Sequence, residues 1–436
     1  MTIEARTAAG IACRAQTPRS AHAAWSSAPG RADPVEILIA QGLTRIAALL
    51  PLRTARMQVS AFAFLRGTAA IMAADLATTP ITGMRVQASG DCHLANFGTF
   101  RTPEGSAVFD LNDFDETLPA PFEWDLKRLA TSFVLSGREE KLSSKACRAL
   151  AVAVAGAYRT QMAALAPVAP IDQWAARIDL REAIGGIDDL KLRARAQTRL
   201  KSAMDDATSH YGLIKPEDGT WRIKEKPPTV RRLTSTDIDA AGLFTQYAAT
   251  LLPEVRALLG RYTLTDLAFK VVGVGSVGTY CAIALFTTAN GQAIILQLKQ
   301  AERSVLANAA GDSAFEHQGE RVVTGQRILQ ATPDPFLGWT ADAHRHFYVR
   351  QLKDQRLAAI GNDLSGALPF YATLCGRTLA RGHARAGDAA MIAGYLGSGD
   401  AMDEAVGEFA VAYADQTVAD WGVLKAAISD GRLQAA

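Results

Sequence analysis

Gly90-Asp91-Cys92-His93-Leu94-Ala95-Asn96, followed by Phe109-Asp110-Leu111-Asn112-Asp113-Phe114-Asp115-Glu116, is the stretch on which the reading of this chain turns. It spaces a carboxylate, an amide and further carboxylates as phosphoryl transfer requires: an acceptor for a hydroxyl proton, and oxygen ligands for magnesium. Asp91 is the acceptor. Asn96 offers a neutral amide oxygen to one metal ion, and a carboxylate of the acidic stretch binds the ion that bridges the phosphates. Asp113 is the first choice for that carboxylate; a tighter hairpin would put Asp110 there instead, and Asp115 can join. Phe97–Arg101 and Ser106–Phe109 read as two short strands about the Pro103-Glu104-Gly105 turn, which returns Asn96 to the acidic end. A calcium loop is disfavoured, because Phe114 stands where a ligand oxygen is expected and Asp115 where the loop needs glycine.

Far downstream, Gly273-Val274-Gly275-Ser276-Val277-Gly278 lies between the apolar runs Leu267–Val272 and Tyr280–Phe286. Alone, G-x-G-x-x-G is a weak signal. In a dinucleotide-binding unit the third glycine opens a helix and an acidic residue follows about 20 residues on. Neither is visible here. Thr279–Phe286 is β-like, Ala289-Asn290-Gly291 is a turn and Ala293–Lys299 is a further strand. The order is therefore strand, glycine loop, strand, turn, strand ending in Lys299. The loop as an ordinary hairpin turn remains open.

These residues resemble the protein-kinase-like superfamily, especially the aminoglycoside and choline kinase branch. There the catalytic loop reads G-D-x-H-x-x-N and a metal-binding Asp-Phe-x motif follows a hairpin. Trp124-Asp125-Leu126-Lys127-Arg128-Leu129 is similar to the helix start that comes next in those enzymes, whose aspartate, here Asp125, is structural. The resemblance implies an α+β, two-lobed kinase-like fold with ATP and Mg2+ as cofactors. Gly273, Gly275, Ser276 and Gly278 would cover the phosphates, with Lys299 contacting them and pairing with a helix glutamate. Glu320 is preferred to Glu316 for that pairing on the helix expected over Ala314–Gln330, where only one can face inward. Lysine and glycine loop normally precede the catalytic loop. Here they follow it by nearly two hundred residues, so the resemblance implies a circularly permuted order, which exposed loops and neighbouring termini tolerate. Through Phe109–Arg128 and Gly319–Arg327, most of the chain also resembles a bacterial family known only as domain of unknown function 2252, which carries no reaction.

Composition bounds the rest. With 436 residues, 49% hydrophobic and 21% charged, the chain can build two or three packed units. A formal net charge of +2 gives no bulk electrostatic case for nucleic-acid or membrane binding. Cys13, Cys92, Cys147, Cys281 and Cys375 show no zinc or disulfide spacing, and their odd number favours a reducing compartment. Cys92 and His93 read as packing residues inside the loop. Apolar runs stop short of membrane-spanning length, and the first residues lack an apolar core suited to export, so a cytoplasmic protein is expected.

The expected organisation is a mobile N-terminal arm (1–33), a helical large lobe carrying the catalytic loop and metal motif (34–262), a small nucleotide-binding lobe of antiparallel strands (263–352) and a helical tail returning to the large lobe (353–436). Within it, helices are expected over Ala61–Leu76, Ser143–Leu165, Asp188–His210 and Ser235–Leu259. Arg321, Arg327 and Arg350 are undecided between phosphate and scaffold, as are Arg53, Arg56 and Arg66. The expected function is an ATP- and magnesium-dependent phosphotransferase acting on the hydroxyl of a small metabolite. A metal-dependent hydrolase built on Asp91, His93, Asp110 and Asp113, or a nucleotide-binding module without transfer, remain alternatives. Fold analogy does not choose the acceptor.

Overall fold

The computed structural model describes residues 1–102, 104–205, 212–234, 236–352 and 367–436. Pro103, His210 and Ser235, which bound an expected turn and two expected helices, lie outside the described residues, as does the start of the expected tail (353–366). The chain is α+β, and its sheets are antiparallel.

The helix Phe122–Glu139 is the axis of the large lobe. Helices Ser144–Leu165, Leu368–Ala384 and Ala401–Ser429 pack around it, so most of its residues are buried. In Ser144–Leu165 the buried set Leu150, Val154, Tyr158, Met162 and Leu165 recurs at three- and four-residue steps, and Ser143 caps the start by accepting from Ala146 N (3.2 Å). The helix expected over Ala61–Leu76 is two, Ala61–Gly67 and Ala69–Leu76, divided at Thr68, whose hydroxyl donates back to Phe64 O (2.9 Å).

The first 33 residues do not form a mobile arm. Helix Ile3–Ala12 lies on Ala389–Leu396 so closely that a Cβ at Gly10 would collide with Met391 O and one at Gly394 with Thr7 O. Arg31 then clamps Asp75 and Asp420 (2.6–2.9 Å), tying this segment to the large-lobe helices.

Two small sheets shape the large-lobe side of the site. Strands β1 (Arg85–Ala88), β2 (Phe97–Arg101), β3 (Ala107–Leu111), β4 (Leu118–Pro121) and β5 (Ile178–Asp179) form a β1–β4 pair and a β2–β3–β5 sheet. The small lobe contains β6 (Ile214–Glu217), β7 (Thr220–Ile223), β8 (Val230–Arg232), β9 (Thr263–Lys270), β10 (Cys281–Thr287), β11 (Ala293–Ala301), β12 (Gly338–Ala341) and β13 (His346–Gln351). Its main sheet runs β12–β13–β11–β10–β9–β8. One face packs on helices Ala240–Ala249 and Pro253–Leu259 through Leu243, Phe244, Tyr247, Leu296 and Val349. The other carries Ile283, Leu285 and Ile295 under the β6–β7 hairpin.

The small lobe thus begins near residue 213 rather than 263, because the expected inter-lobe connection supplies β8 and two covering helices. Pro253 at the first turn divides the helix expected to reach Leu259, since proline has no N–H for a preceding turn. Among the described residues no helix is long and apolar enough to cross a membrane.

Candidate functional site

At the end of β1 the chain turns sharply. Gly90 has φ +83°, and a Cβ there would lie 2.5 Å from Glu116 O, so glycine alone fits. Ser89 N and Gly90 N donate to the two oxygens of Asp125 (2.6 and 3.0 Å), and His383 Nε2 lies 3.2 Å from the same carboxylate. Asp125 is therefore a buried clamp on the loop backbone. On the same helix, Arg128 donates to Asp91 Oδ1 from Nε (2.8 Å) and also from Nη2. Asp91 lines the cleft, and its Oδ2 lies 3.9 Å from His93 Nε2 and on the side of Gly275, where a Cβ would stand 3.8 Å away. Burial raises the Asp91 pKa, and Arg128 opposes the rise.

His93 is buried edge-on to Phe62 (6.2 Å between centroids). Burial, then the charges of Arg128 and Arg66, push its pKa far below the ordinary value, so its imidazole is neutral. Asn96 Nδ2 donates to Asp91 O (2.8 Å), which leaves the amide oxygen for a ligand.

The β2–β3 hairpin pairs Phe97 with Leu111, and Asn112 N donates to Asn96 O (2.9 Å), so the amide stands beside the acidic end. Asp113 and Asp115 both line the cleft there, with side chains 31% and 25% exposed. Asp110 does not. It is 2% exposed, paired with Arg381, and it accepts from Leu111 N (2.9 Å) and Ala331 N (2.9 Å). The expectation that Asp110 serves a metal is corrected: strand alternation turns it into the large-lobe core, where its oxygens are already engaged.

Lys299 projects from β11 into the same place, 4% exposed. It forms an ion pair with Asp115 and stands 3.7 Å from Asp113 Oδ1. Asp115 also accepts from Tyr348 Oη (2.8 Å) and Ser276 Oγ (3.1 Å). Burial works to raise the Asp115 pKa, but Lys299, Tyr348 and Arg350 outweigh it and hold the group below its ordinary value. Asp113 is raised by burial and by Asp115, against Lys299. Burial would lower Lys299, yet the two carboxylates raise it, so the lysine is charged.

The expected glutamate partner is also corrected. Neither Glu320 nor Glu316 lines the cleft, and among the described residues neither forms an ion pair with Lys299. The helix is shorter than expected, Gln318–Leu329, and points Arg321 inward instead. Arg321 donates to Thr117 O, Asp115 O and Glu302 O (2.7–2.8 Å), which makes it scaffold.

The glycine loop, residues 271–280, is pinned from outside. Arg45 Nη1 donates to Gly275 O (2.9 Å) and Val277 O (2.6 Å), Arg56 to Val272 O (2.8 Å) and Ile46 N to Gly278 O (2.8 Å). Gly273, Gly275 and Ser276 line the cleft. Gly278 does not; with φ +93° it shapes the turn. Arg327 is scaffold, donating to Leu337 O (2.7 Å), whereas Arg350 lines the cleft between Gln297 and Asn112 O.

One cleft of about 310 Å³ thus joins Asp91, Asn96, Asp113 and Asp115 to Gly273, Gly275, Ser276 and Lys299. Sequence reading gave Arg128 no role and did not name Arg45 at all. The i, i+3 step from Asp125 to Arg128, which puts both on one helix face, was the available signal for the first; none existed for the second. Among the described residues no group of three or more histidine, cysteine or carboxylate side chains is placed to hold a metal. Magnesium needs no such cage, since one or two carboxylates complete its shell with water and substrate phosphates. Asp113, the more exposed carboxylate, and the amide oxygen of Asn96 fit that requirement.

No curated protein and no solved structure matches the chain. A family model described as "Uncharacterized protein conserved in bacteria (DUF2252)" matches residues 45–427, which include every cleft residue named above. With most of its length matched, the chain belongs to this uncharacterised bacterial family, DUF2252.

Proposed function

We propose that this protein is an ATP- and magnesium-dependent phosphotransferase acting on a hydroxyl group of a small metabolite, on a kinase-like fold of circularly permuted order. The observation that carries the reading is the shared cleft. The loop with Asp91 and Asn96, the carboxylate Asp113, the glycine loop and Lys299 are far apart in sequence and meet there. In the small lobe the glycine loop joins β9 to β10 and the lysine lies on the next strand, β11, the arrangement in which a strand lysine reaches nucleotide phosphates.

In this reading Asp91 Oδ2 accepts the hydroxyl proton while Arg128 fixes Oδ1 and thereby the orientation of the carboxylate. Asp113 and Asn96 would hold magnesium, which supplies charge neutralisation for the transferring group. Lys299, charged and preorganised by Asp115, holds phosphate oxygens from the small-lobe side. The hydrolase alternative loses support because Asp110 faces Arg381 and His93 packs on Phe62.

The test is thermal stabilisation by ATP with and without magnesium, beside Lys299→Ala and Asp113→Ala. A magnesium-dependent rise in Tm that both variants lose is the expected result. No rise in the wild type would sink the proposal.

A further inference from the structure

The cleft is lined by three arginines, Arg45, Arg53 and Arg66, from the helical segment ahead of the catalytic loop, and phosphotransfer as proposed gives them no part. Arg45 is engaged with the glycine loop carbonyls. Arg53, 3% exposed, donates from Nη2 to Gln41 Oε1 (3.0 Å) and Gly67 O (2.9 Å), while its Nε has no partner. Arg66 is partly buried, with Cζ 5.9 Å from the Phe62 ring centroid. Its Nε is likewise without a partner, and among the described residues Arg66 forms no ion pair.

A buried guanidinium is costly unless its donors are met, and its planar fork matches an oxyanion. Arg66 lines the same cleft as Asp91 and Asp113, the two carboxylates whose charges bear most on its guanidinium, and its backbone abuts the glycine loop, where a Cβ on Gly275 would lie 3.1 Å from Arg66 O and 3.8 Å from Asp91 Oδ2. Lys299 belongs to the opposite, small-lobe wall.

We propose that Arg66, backed by Arg53, forms an oxyanion subsite beside Asp91, so that the acceptor is a small hydroxyl compound that also carries a phosphate or carboxylate group. The proposal rests on the phosphotransfer reading. Anchoring the anion would bring the hydroxyl to Asp91 Oδ2 in one orientation, which is where a positioned acceptor gains most.

The test is calorimetric titration of inorganic phosphate, and separately acetate, into the full chain, first alone and then saturated with magnesium and a non-hydrolysable ATP analogue. One phosphate or acetate should bind in both states. Arg66→Gln should weaken it about tenfold, the effect of losing one charge-assisted hydrogen bond, while affinity for the analogue changes little. Arg66→Lys, which keeps the charge and loses the fork, should fall between them and serves if Arg66→Gln melts early. The stronger of the two probes identifies the oxyanion. Displacement of both by the analogue, or undiminished binding in both variants, would overturn the subsite. Failure of the analogue to bind would overturn the phosphotransfer reading instead, while the titration without nucleotide still decides whether the anion site exists.

Discussion

Lys299 on β11 is paired with Asp115, at the end of the large-lobe hairpin, and, among the described residues, not with any residue of helix Gln318–Leu329. The pair therefore fastens the two walls of the cleft to each other. Removing the lysine would leave Asp113 and Asp115 facing one another without the cation that both approach most closely, with Arg350 still near them.

Lys299→Met should cost about 2–3 kcal/mol near pH 8, somewhat less than a fully buried broken pair, because both carboxylates retain some exposure. Without the lysine both carboxyl pKa values rise in the folded state. A raised folded pKa makes the folded chain bind more protons than the unfolded one, so the deficit should shrink towards pH 5. Urea denaturation of both proteins at the two pH values checks this; an equal deficit at both would contradict it.

Glu116 lines the cleft with Oε2 accepting from Val305 N (2.7 Å), and burial raises its pKa from 4.5 to about 7. Its folded value lies above its unfolded one, so the stability tied to its proton is present below about pH 4.5 and is lost as pH rises through about 7. Glu116→Gln keeps an acceptor for Val305 and removes the charge. It should be more stable than wild type at pH 8, by up to about 3 kcal/mol, with no advantage near pH 4. The difference in urea midpoint across pH is the readout.

Asp91→Asn should retain magnesium-dependent stabilisation by ATP and lose about 10²–10⁴-fold in turnover, as loss of a positioned base does. Arg128→Lys cannot reproduce the double donation to Oδ1. Turnover should fall about tenfold while Asp91 itself is intact. Initial rates of ATP consumption, measured beside Tm, separate these effects from unfolding.

Gly278→Ala tests the pinned loop. The position has φ +93°, and a Cβ would lie 3.0 Å from Arg45 Cβ. Strain and the displaced Arg45 should together cost about 1–3 kcal/mol and weaken nucleotide stabilisation, although Gly278 does not line the cleft. Unchanged nucleotide stabilisation would show that the loop's position does not depend on this turn.

What could be read along the chain was local. The loop from Gly90 to Asn96 and the hairpin after it are close in sequence, so strand and turn residues alone place Asn96 beside Asp113. The apolar runs bounded by the glycine loop and the Ala289-Asn290-Gly291 turn likewise marked β10 and β11, and the helical repeat marked Ser144–Leu165. Choosing between Asp110 and Asp113 was not legible. Within one acidic run, Asp110 turns into the core to meet Arg381, from a helix near the other end of the chain, and Ala331 N, whereas Asp113 is left in the cleft.

By itself, then, the sequence determined the chemical inventory and its local geometry: a carboxylate and an amide on one loop, carboxylates at a hairpin end, a glycine turn between strands and a lysine on the next strand. These follow from φ/ψ preferences and side-chain periodicity, which act over a few residues. Only the tertiary structure decided which charges meet. It paired Lys299 with Asp115 rather than Glu320, gave Asp91 to Arg128, drew the first 33 residues onto the helices and set Arg66 beside the cleft. Those outcomes depend on which buried charge finds a partner at least desolvation cost across distant segments, and no local pattern carries that information.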